Sequence, residues 1–374
     1  MLAILLTGLT VTANAAETGW VKKDGNWYYF KADGTMVTSD WVQTSGKWYY
    51  LGEDGVMKAN EVFTDGKKWY AADKNGAMVA NGWFEEKNGD DDWSYSEWYY
   101  AGADGALVKG WKLIGKKWYC FEDWADAEVD YKPWMAQGTI WTFKKTSYAF
   151  KPSGEMIVGW GQPFLGSQWY DQSNTEWVTN WVYANADGSL VEGWKKIDGK
   201  WYYLYPIMMR NGVLPFDEKG EIGYGEKKTD FYGFNASGAM IENAWYKEPD
   251  SGNSGGGWYY FGADGAAKKG WFQDKGKWYY LHEKYGYMET GLIPMSDGKV
   301  YYLDETTGAM ATGWKQIDNI WYYFKDSGAM TVKEWVKSGS AWYYLKEDGQ
   351  MAKDEIRTID GKPYKFDANG VWVP

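Results

Sequence analysis

Gly313-Trp314-Lys315-Gln316-Ile317-Asp318-Asn319-Ile320-Trp321-Tyr322-Tyr323-Phe324-Lys325-Asp326-Ser327-Gly328-Ala329-Met330 is the stretch from which the rest of the chain can be read. A short run around Trp314 gives way to a polar turn, then to the aromatic run Trp321-Tyr322-Tyr323-Phe324, a glycine turn and a methionine. Aromatic and β-branched runs broken by polar and glycine positions predict a β-hairpin. Alternation along the second strand puts Trp321 and Tyr323 on one face, Tyr322 and Phe324 on the other. A hairpin this small buries neither face alone and needs neighbours of its own kind.

The neighbours follow at once. Trp335 opens the next copy 21 residues on, with Trp342-Tyr343-Tyr344-Leu345 and Gly349-Gln350-Met351, and Ile356 takes the same place another 21 on. Upstream, regular copies run from Trp20 with Trp27-Tyr28-Tyr29-Phe30, and from Trp41 with Trp48-Tyr49-Tyr50-Leu51. Repetition at this period predicts an all-β fold, a β-hairpin solenoid of about fifteen ~20-residue aromatic repeats. The beat divides the chain into residues 17–121 with N-terminal repeats, 122–240 with degenerate repeats and insertions, and 241–374 with C-terminal repeats and a cap. Residues 205–230 read as irregular. Residues 1–16, MLAILLTGLTVTANAA, resemble the end of a secretory signal peptide: the apolar run is short for a membrane span and Ala13-Asn14-Ala15 is a small-x-small pattern. Export is the expectation.

With 28 Trp, 32 Tyr and 14 Phe, the core must be built largely from rings. A net charge of −11 argues against nucleic acid, whose phosphates need a basic footprint. One Cys, Cys120, stands where the repeat has Tyr, and reads as a packing position. One His, His282, follows a Trp-Tyr-Tyr run and reads as a turn residue. Together they leave almost no material for a Ser–His, Cys–His or multi-His zinc site.

Seven units keep Trp-x6-Trp, among them Trp20/Trp27, Trp271/Trp278 and Trp314/Trp321. Across a short-turn hairpin that spacing brings two indoles together on one face. A third ring must come from the following hairpin, and parity nominates the second Tyr of its Trp-Tyr-Tyr run. Three ring faces around a gap would hold a quaternary ammonium by cation–π attraction, roughly 0.5–2 kcal/mol per ring. One cage then binds choline on the order of millimolar, and several cages on a polymer reinforce one another. Aromatic stripes on strands also commonly form core. The joint recurrence of both Trp, the Tyr and the Met favours the cage.

The pattern Gly-Trp-x6-Trp-Tyr-Tyr-(Leu/Phe)-x3-Gly-Ala-Met resembles the choline-binding repeats of Gram-positive cell-wall proteins, over nearly the whole chain from Trp20. The resemblance implies a hairpin solenoid whose inter-repeat sites take choline, or phosphocholine, from two Trp of one repeat and a Tyr of the next, with a Met nearby. It implies docking on choline-decorated teichoic or lipoteichoic acid at the cell surface, with no cofactor. Carried over residue by residue, it gives Trp20, Trp27, Tyr50 and Met57; Trp245, Trp258, Tyr280 and Met288; Trp271, Trp278, Tyr302 and Met310; and Trp314, Trp321, Tyr344 and Met351. A fifth set would be Trp160, Trp181 and Tyr203. Elsewhere the closing position holds Ala71, Cys120, Ala149, Gly233 or Lys365, so binding is expected at the two ends and lost in the middle, which would either serve a host or bacterial surface protein as partner or be only drift.

Two other readings compete. A glucan-binding array uses the same hairpin grammar against sugar faces. An enzyme, or a regulator of a wall hydrolase, would need an unrecognised site; the acidic groups Asp90-Asp91-Asp92 and Asp123/Asp126/Glu128/Asp130 are the available carboxylates, and solvated loops explain them.

Overall fold

A computed structural model describes residues 17–89, 95–123, 131–163, 178–249 and 256–374, with only the backbone described for 178–180. The expected signal segment lies outside the described residues, as do the acidic groups apart from Asp123. Gly313–Ile317 pairs antiparallel with Ile320–Phe324 in the register Trp314↔Tyr323, Gln316↔Trp321, Ile317↔Ile320. That register leaves Asp318 and Asn319 as a two-residue turn, at φ 47° and 63°. Left-handed turns of this kind match the twist of the strands, and Asp, Asn and Gly tolerate them best. Asp24-Gly25, Asp198-Gly199 and Asp360-Gly361 make the same turn.

Fifteen consecutive antiparallel strand pairs stand among the described residues, from Gly19–Lys23 with Asn26–Phe30 to Glu355–Ile359 with Lys362–Phe366, with connections of differing length and no helix. The stretch 122–240 keeps the pattern, for example Thr139–Phe143 with Thr146–Phe150 and Gly193–Ile197 with Lys200–Leu204. The reading of 205–230 as irregular needs correction. Ile207–Met209 is a short strand against Leu204, and Gly212–Phe216 pairs with Asp230–Phe234. Pro215 inside that strand removes the signal a sequence reader relies on.

Stacking follows from the methionine turn. After the second strand the chain turns at glycine and bridges back, Phe324 to Met330 and Leu345 to Met351. The Met N–H then donates to the carbonyl of the preceding hairpin's second Trp: Met351 to Trp321 at 2.8 Å, Met310 to Trp278 at 2.7 Å, Met57 to Trp27 at 2.8 Å. The glycine of the next turn covers the Met side chain. A Cβ on Gly349 would fall 2.5 Å from Met330 Sδ, at φ +79°, so a side chain there would strain the backbone and push the methionine aside. The Gly-x-Met beat is therefore a contact between neighbours. The last apolar residue of the second strand, such as Leu281, Phe324 and Leu345, is fully buried in the hairpins after the first.

The chain forms two compact units, one reaching Leu190 and the other running from Val191 to the C-terminus. Each stacks its own hairpins in this way.

Candidate aromatic sites between hairpins

Trp314 and Trp321 share a face because Trp314 pairs with Tyr323 and Trp321 with Gln316, two positions along. Their rings cross at 6.3 Å and 83°. Trp314 also packs edge-on to Tyr323 of its own hairpin at 5.2 Å, and to Tyr343 of the next at 5.0 Å. Met351, tied to the Trp321 carbonyl, packs into the same cluster as Trp314 and Tyr343.

The ring that arrives is thus the first Tyr of the next Trp-Tyr-Tyr run, and the expected Tyr344 is elsewhere. Tyr344 lies against its own Trp335 at 5.2 Å. The same shift by one holds at the other three expected sites. Trp20 meets Tyr49 at 5.0 Å, Trp245 meets Tyr279 at 4.9 Å, and Trp271 meets Tyr301 at 4.8 Å. Tyr50, Tyr280, Tyr302 and Tyr344 are only 7–9% exposed and belong to the packing on the other side of their hairpins. The physical reason is head-to-tail stacking. Each junction joins the Trp face of one hairpin to the opposite face of the next, so the closing ring must differ in parity from its own Trp.

This shift restores rings where the sequence showed none. Tyr70 reaches Trp41 at 4.8 Å, Tyr119 reaches Trp83 at 5.0 Å, Tyr148 reaches Trp111 at 4.8 Å, Tyr232 reaches Trp194 at 5.0 Å and Tyr364 reaches Trp335 at 5.0 Å. The residues that seemed to spoil these junctions, Ala71, Cys120, Ala149, Gly233 and Lys365, all point to the other face. A closing ring is therefore present at these five junctions as well.

The junctions still differ. Crossed Trp pairs like Trp314/Trp321 occur at Trp20/Trp27, Trp83/Trp98, Trp160/Trp181 and Trp271/Trp278, with centroids 6.4–6.5 Å apart. At Trp41, Trp111, Trp194 and Trp245 a phenylalanine of the next hairpin packs on the leading indole: Phe63 at 5.7 Å, Phe143 at 5.7 Å, Phe216 at 4.9 Å and Phe272 at 6.0 Å; Phe121 does the same at Trp83, at 5.9 Å, beside its crossed pair. The leading indole is oriented through its Nε1–H, which donates to Thr44 Oγ1 from Trp20 at 3.2 Å and to Asp274 Oδ2 from Trp245 at 3.0 Å.

At three of the crossed pairs the second Trp keeps an open face, while Trp98 packs against the core of the next hairpin. Trp27, Trp278 and Trp321 are 39%, 41% and 38% exposed. Around Trp20, Trp27, Tyr49 and Met57 a pocket of about 590 Å³ opens to solvent. Such indole faces already accept cations from the chain itself: Lys22 Nζ lies 5.7 Å from the Trp27 ring, and Lys337 Nζ 5.7 Å from Trp342.

Two junctions are sealed, and sequence reasoning missed how. Where Val62 stands in place of the leading Trp, its N–H donates to Glu86 Oε1 at 3.1 Å. The fully buried Tyr99 donates its O–H to Glu97 at 2.7 Å and approaches Glu86 at 3.3 Å; Lys132 pairs with Glu86 at 2.8 Å. Where Val213 takes the leading place, its N–H donates to Glu248 Oε1 at 3.3 Å and Tyr259 donates to Glu248 Oε2 at 3.4 Å. Burial raises the Glu248 carboxyl above its ordinary range and raises both phenols. The available signal was a Glu three residues after Trp83 and after Trp245, where other hairpins place Thr44 or Asp274.

Cys120 is fully buried among Ala136 and Phe150, and burial pushes its thiol up to about 12, so it is a core group. His282 Nδ1 accepts the N–H groups of Lys284 and Tyr285 and holds a turn.

Parts of the chain match known repeat families. A family model described as the choline-binding repeat matches residues 17–61 and 332–372, and one described as a cell wall binding repeat matches 192–206, 252–267, 269–288 and 312–330. Glucosyltransferase-I of Streptococcus downei is 28% identical over 174 residues, 46% of this chain and 9% of that protein; glucosyltransferase-S of the same organism is 27% identical over 183 residues, 48% of this chain and 10% of that protein. The chain thus spans about a tenth of the length of these relatives. Among solved structures, choline binding protein F of Streptococcus pneumoniae is 24% identical, covering 96% of this chain and 100% of that one at a TM-score of 0.27. CbpJ of the same organism is 24% identical, covering 95% and 99% at a TM-score of 0.25.

Proposed function

We propose that this member of the choline-binding repeat family holds the trimethylammonium group of choline between the two Trp of one hairpin and the first Tyr of the next, and so fixes itself to choline-bearing wall polymers. The observation that carries the proposal is the crossed indole pair closed by a tyrosine from the neighbouring hairpin, with the second indole still exposed, as at Trp314, Trp321 and Tyr343. A quaternary ammonium has no N–H to donate, so ring faces and the polarizable Met351 thioether are the partners suited to it. The crossed-pair junctions Trp20/Trp27/Tyr49, Trp271/Trp278/Tyr301 and Trp314/Trp321/Tyr343 are the principal sites. Junctions carrying a packed phenylalanine bind more weakly. Each cage acts at about millimolar strength, and attachment comes from several at once on teichoic or lipoteichoic acid.

The chain acts as a non-catalytic, secreted wall-attachment protein on this reading. Among the described residues no helix is long and apolar enough to cross a membrane. A second reading, glucan binding, draws on the likeness to the two glucosyltransferases and on the exposed Trp faces. Titrating intrinsic Trp fluorescence with choline and, separately, with dextran decides between them. A saturable response to choline near millimolar, and silence to dextran, is expected. The reverse pattern would overturn the proposal in favour of glucan.

A further inference from the structure

The pocket at Trp20, Trp27 and Tyr49 has a feature that the cage alone does not require. Its lining includes Lys74 and Asn75, from the glycine turn two hairpins further on. Lys74 is exposed. Nearby Lys58 and Lys68 are paired with Glu61 and Asp104, whereas Lys74 forms no ion pair among the described residues. The turn that presents it is fixed: Gly76 N–H donates to the Asp73 carbonyl at 2.8 Å, and Asn75 N–H donates to Asp73 Oδ1 at 2.7 Å.

The position faces a junction by construction, because the same placement recurs. Lys284 stands two residues before Gly286, as Lys74 stands two before Gly76. It lines a pocket with Phe231, which occupies the second-Trp place of the sealed Val213 junction. No complete cage other than Trp20/Trp27/Tyr49 has a basic residue there. Ala103, Ala186, Ala263 and Ala368 stand in four of the corresponding turns, and Asp326 in the turn over Trp271/Trp278. At the Asn75 position, Asp104, Asp187 and Asp264 supply acid instead of an amide donor.

We infer that the Trp20/Trp27/Tyr49 cage is a choline-phosphate site, in which the rings hold the trimethylammonium while Lys74, with the Asn75 amide, takes the phosphate two carbons away. The inference rests on the choline reading of the cages. The other cages recognise the cation alone. An ammonium and an amide donor at the mouth of a cation cage suit a zwitterion better than bare choline, whose charge Lys74 repels. Since Lys74 is exposed, its contribution is modest and fades with salt. The headgroup could be carried by a polymer phosphodiester or by a lipid.

The full chain is labelled with 5-fluorotryptophan, and the Trp27 resonance is assigned by its loss in Trp27→Phe. That resonance is then titrated with choline, phosphocholine and glycerophosphocholine at low salt. Roughly two- to five-fold tighter binding of phosphocholine than choline is expected, with the preference lost in Lys74→Gln and choline affinity equal or slightly better. A preference that survives Lys74→Gln would overturn the assignment while leaving the choline cage standing. A resonance that responds to none of the three ligands would overturn both. Lys74-dependent binding to phosphatidylcholine vesicles would identify a lipid headgroup; binding of glycerophosphocholine without vesicle binding would identify a soluble or polymer-borne diester, and either result carries the Lys74 assignment.

Discussion

Tyr343 and Tyr99 occupy the same place in their hairpins, directly after the second-strand Trp, and meet opposite surroundings. Tyr343 stands half-buried across from Trp314, beside an indole face open to solvent. Tyr99 is fully buried, its hydroxyl spent on Glu97 and Glu86. Tyr259 repeats the second case with Glu248. What separates them is one residue in the hairpin before, Trp314 against Val62 or Val213, and one three places after the next leading Trp. An indole at the leading position makes the Tyr one wall of a cage. A valine leaves its strand N–H for a glutamate to reach, and the Tyr becomes core. One backbone plan yields both a site and a seal.

Truncating the two tyrosines should separate the cases most strongly. Tyr99→Ala is expected to cost about 3–5 kcal/mol, since it empties a buried ring site and leaves carboxylates without their donor. Tyr343→Ala should cost clearly less stability while removing the wall of its cage. Urea unfolding of both variants by circular dichroism checks this; equal losses would dissolve the distinction. Next in size, Lys132→Met should destabilise the first unit by about 1–3 kcal/mol, because the mostly buried Glu86 loses its cation at 2.8 Å. The same melts read it.

On the binding side, Trp321→Ala should weaken choline at its junction by roughly 0.5–2 kcal/mol, seen as loss of one component of the fluorescence titration. Tyr344→Phe should leave that component in place, because Tyr344 faces away from the junction.

The sealed Val213 junction carries the smallest effect, a pH dependence. Glu248 is 7% exposed, and burial holds its carboxyl above the ordinary 4.5, so the folded state keeps a proton that the unfolded state has lost. Stability should therefore fall as pH rises above about 4.5 through the raised value. Glu248→Gln should flatten that slope. Melts of the two proteins between pH 4 and 7 test it, and parallel curves would contradict it.

Much of this was legible in residues 313–330. Aromatic alternation, the Asp-Asn turn and the 21-residue beat give the hairpin, its register and the stack. The two Trp of each cage were legible too, since their same-face relation is internal to one hairpin. The third ring was misread because parity within a hairpin does not say which of its faces meets the previous one. Head-to-tail stacking decides that, and it moves the wall from Tyr344 to Tyr343. The seals escaped for a related reason. Glu86 and Glu248 look like solvated carboxylates until Val62 and Val213 of the preceding hairpins bring their N–H groups to them.

The most direct measurement is a crystal structure of the full chain soaked in choline. The account places the trimethylammonium between Trp314, Trp321 and Tyr343, and at the matching crossed pairs, with the Val62 and Val213 junctions unchanged. Choline absent from the crossed pairs, or seated instead against Tyr344, would contradict it.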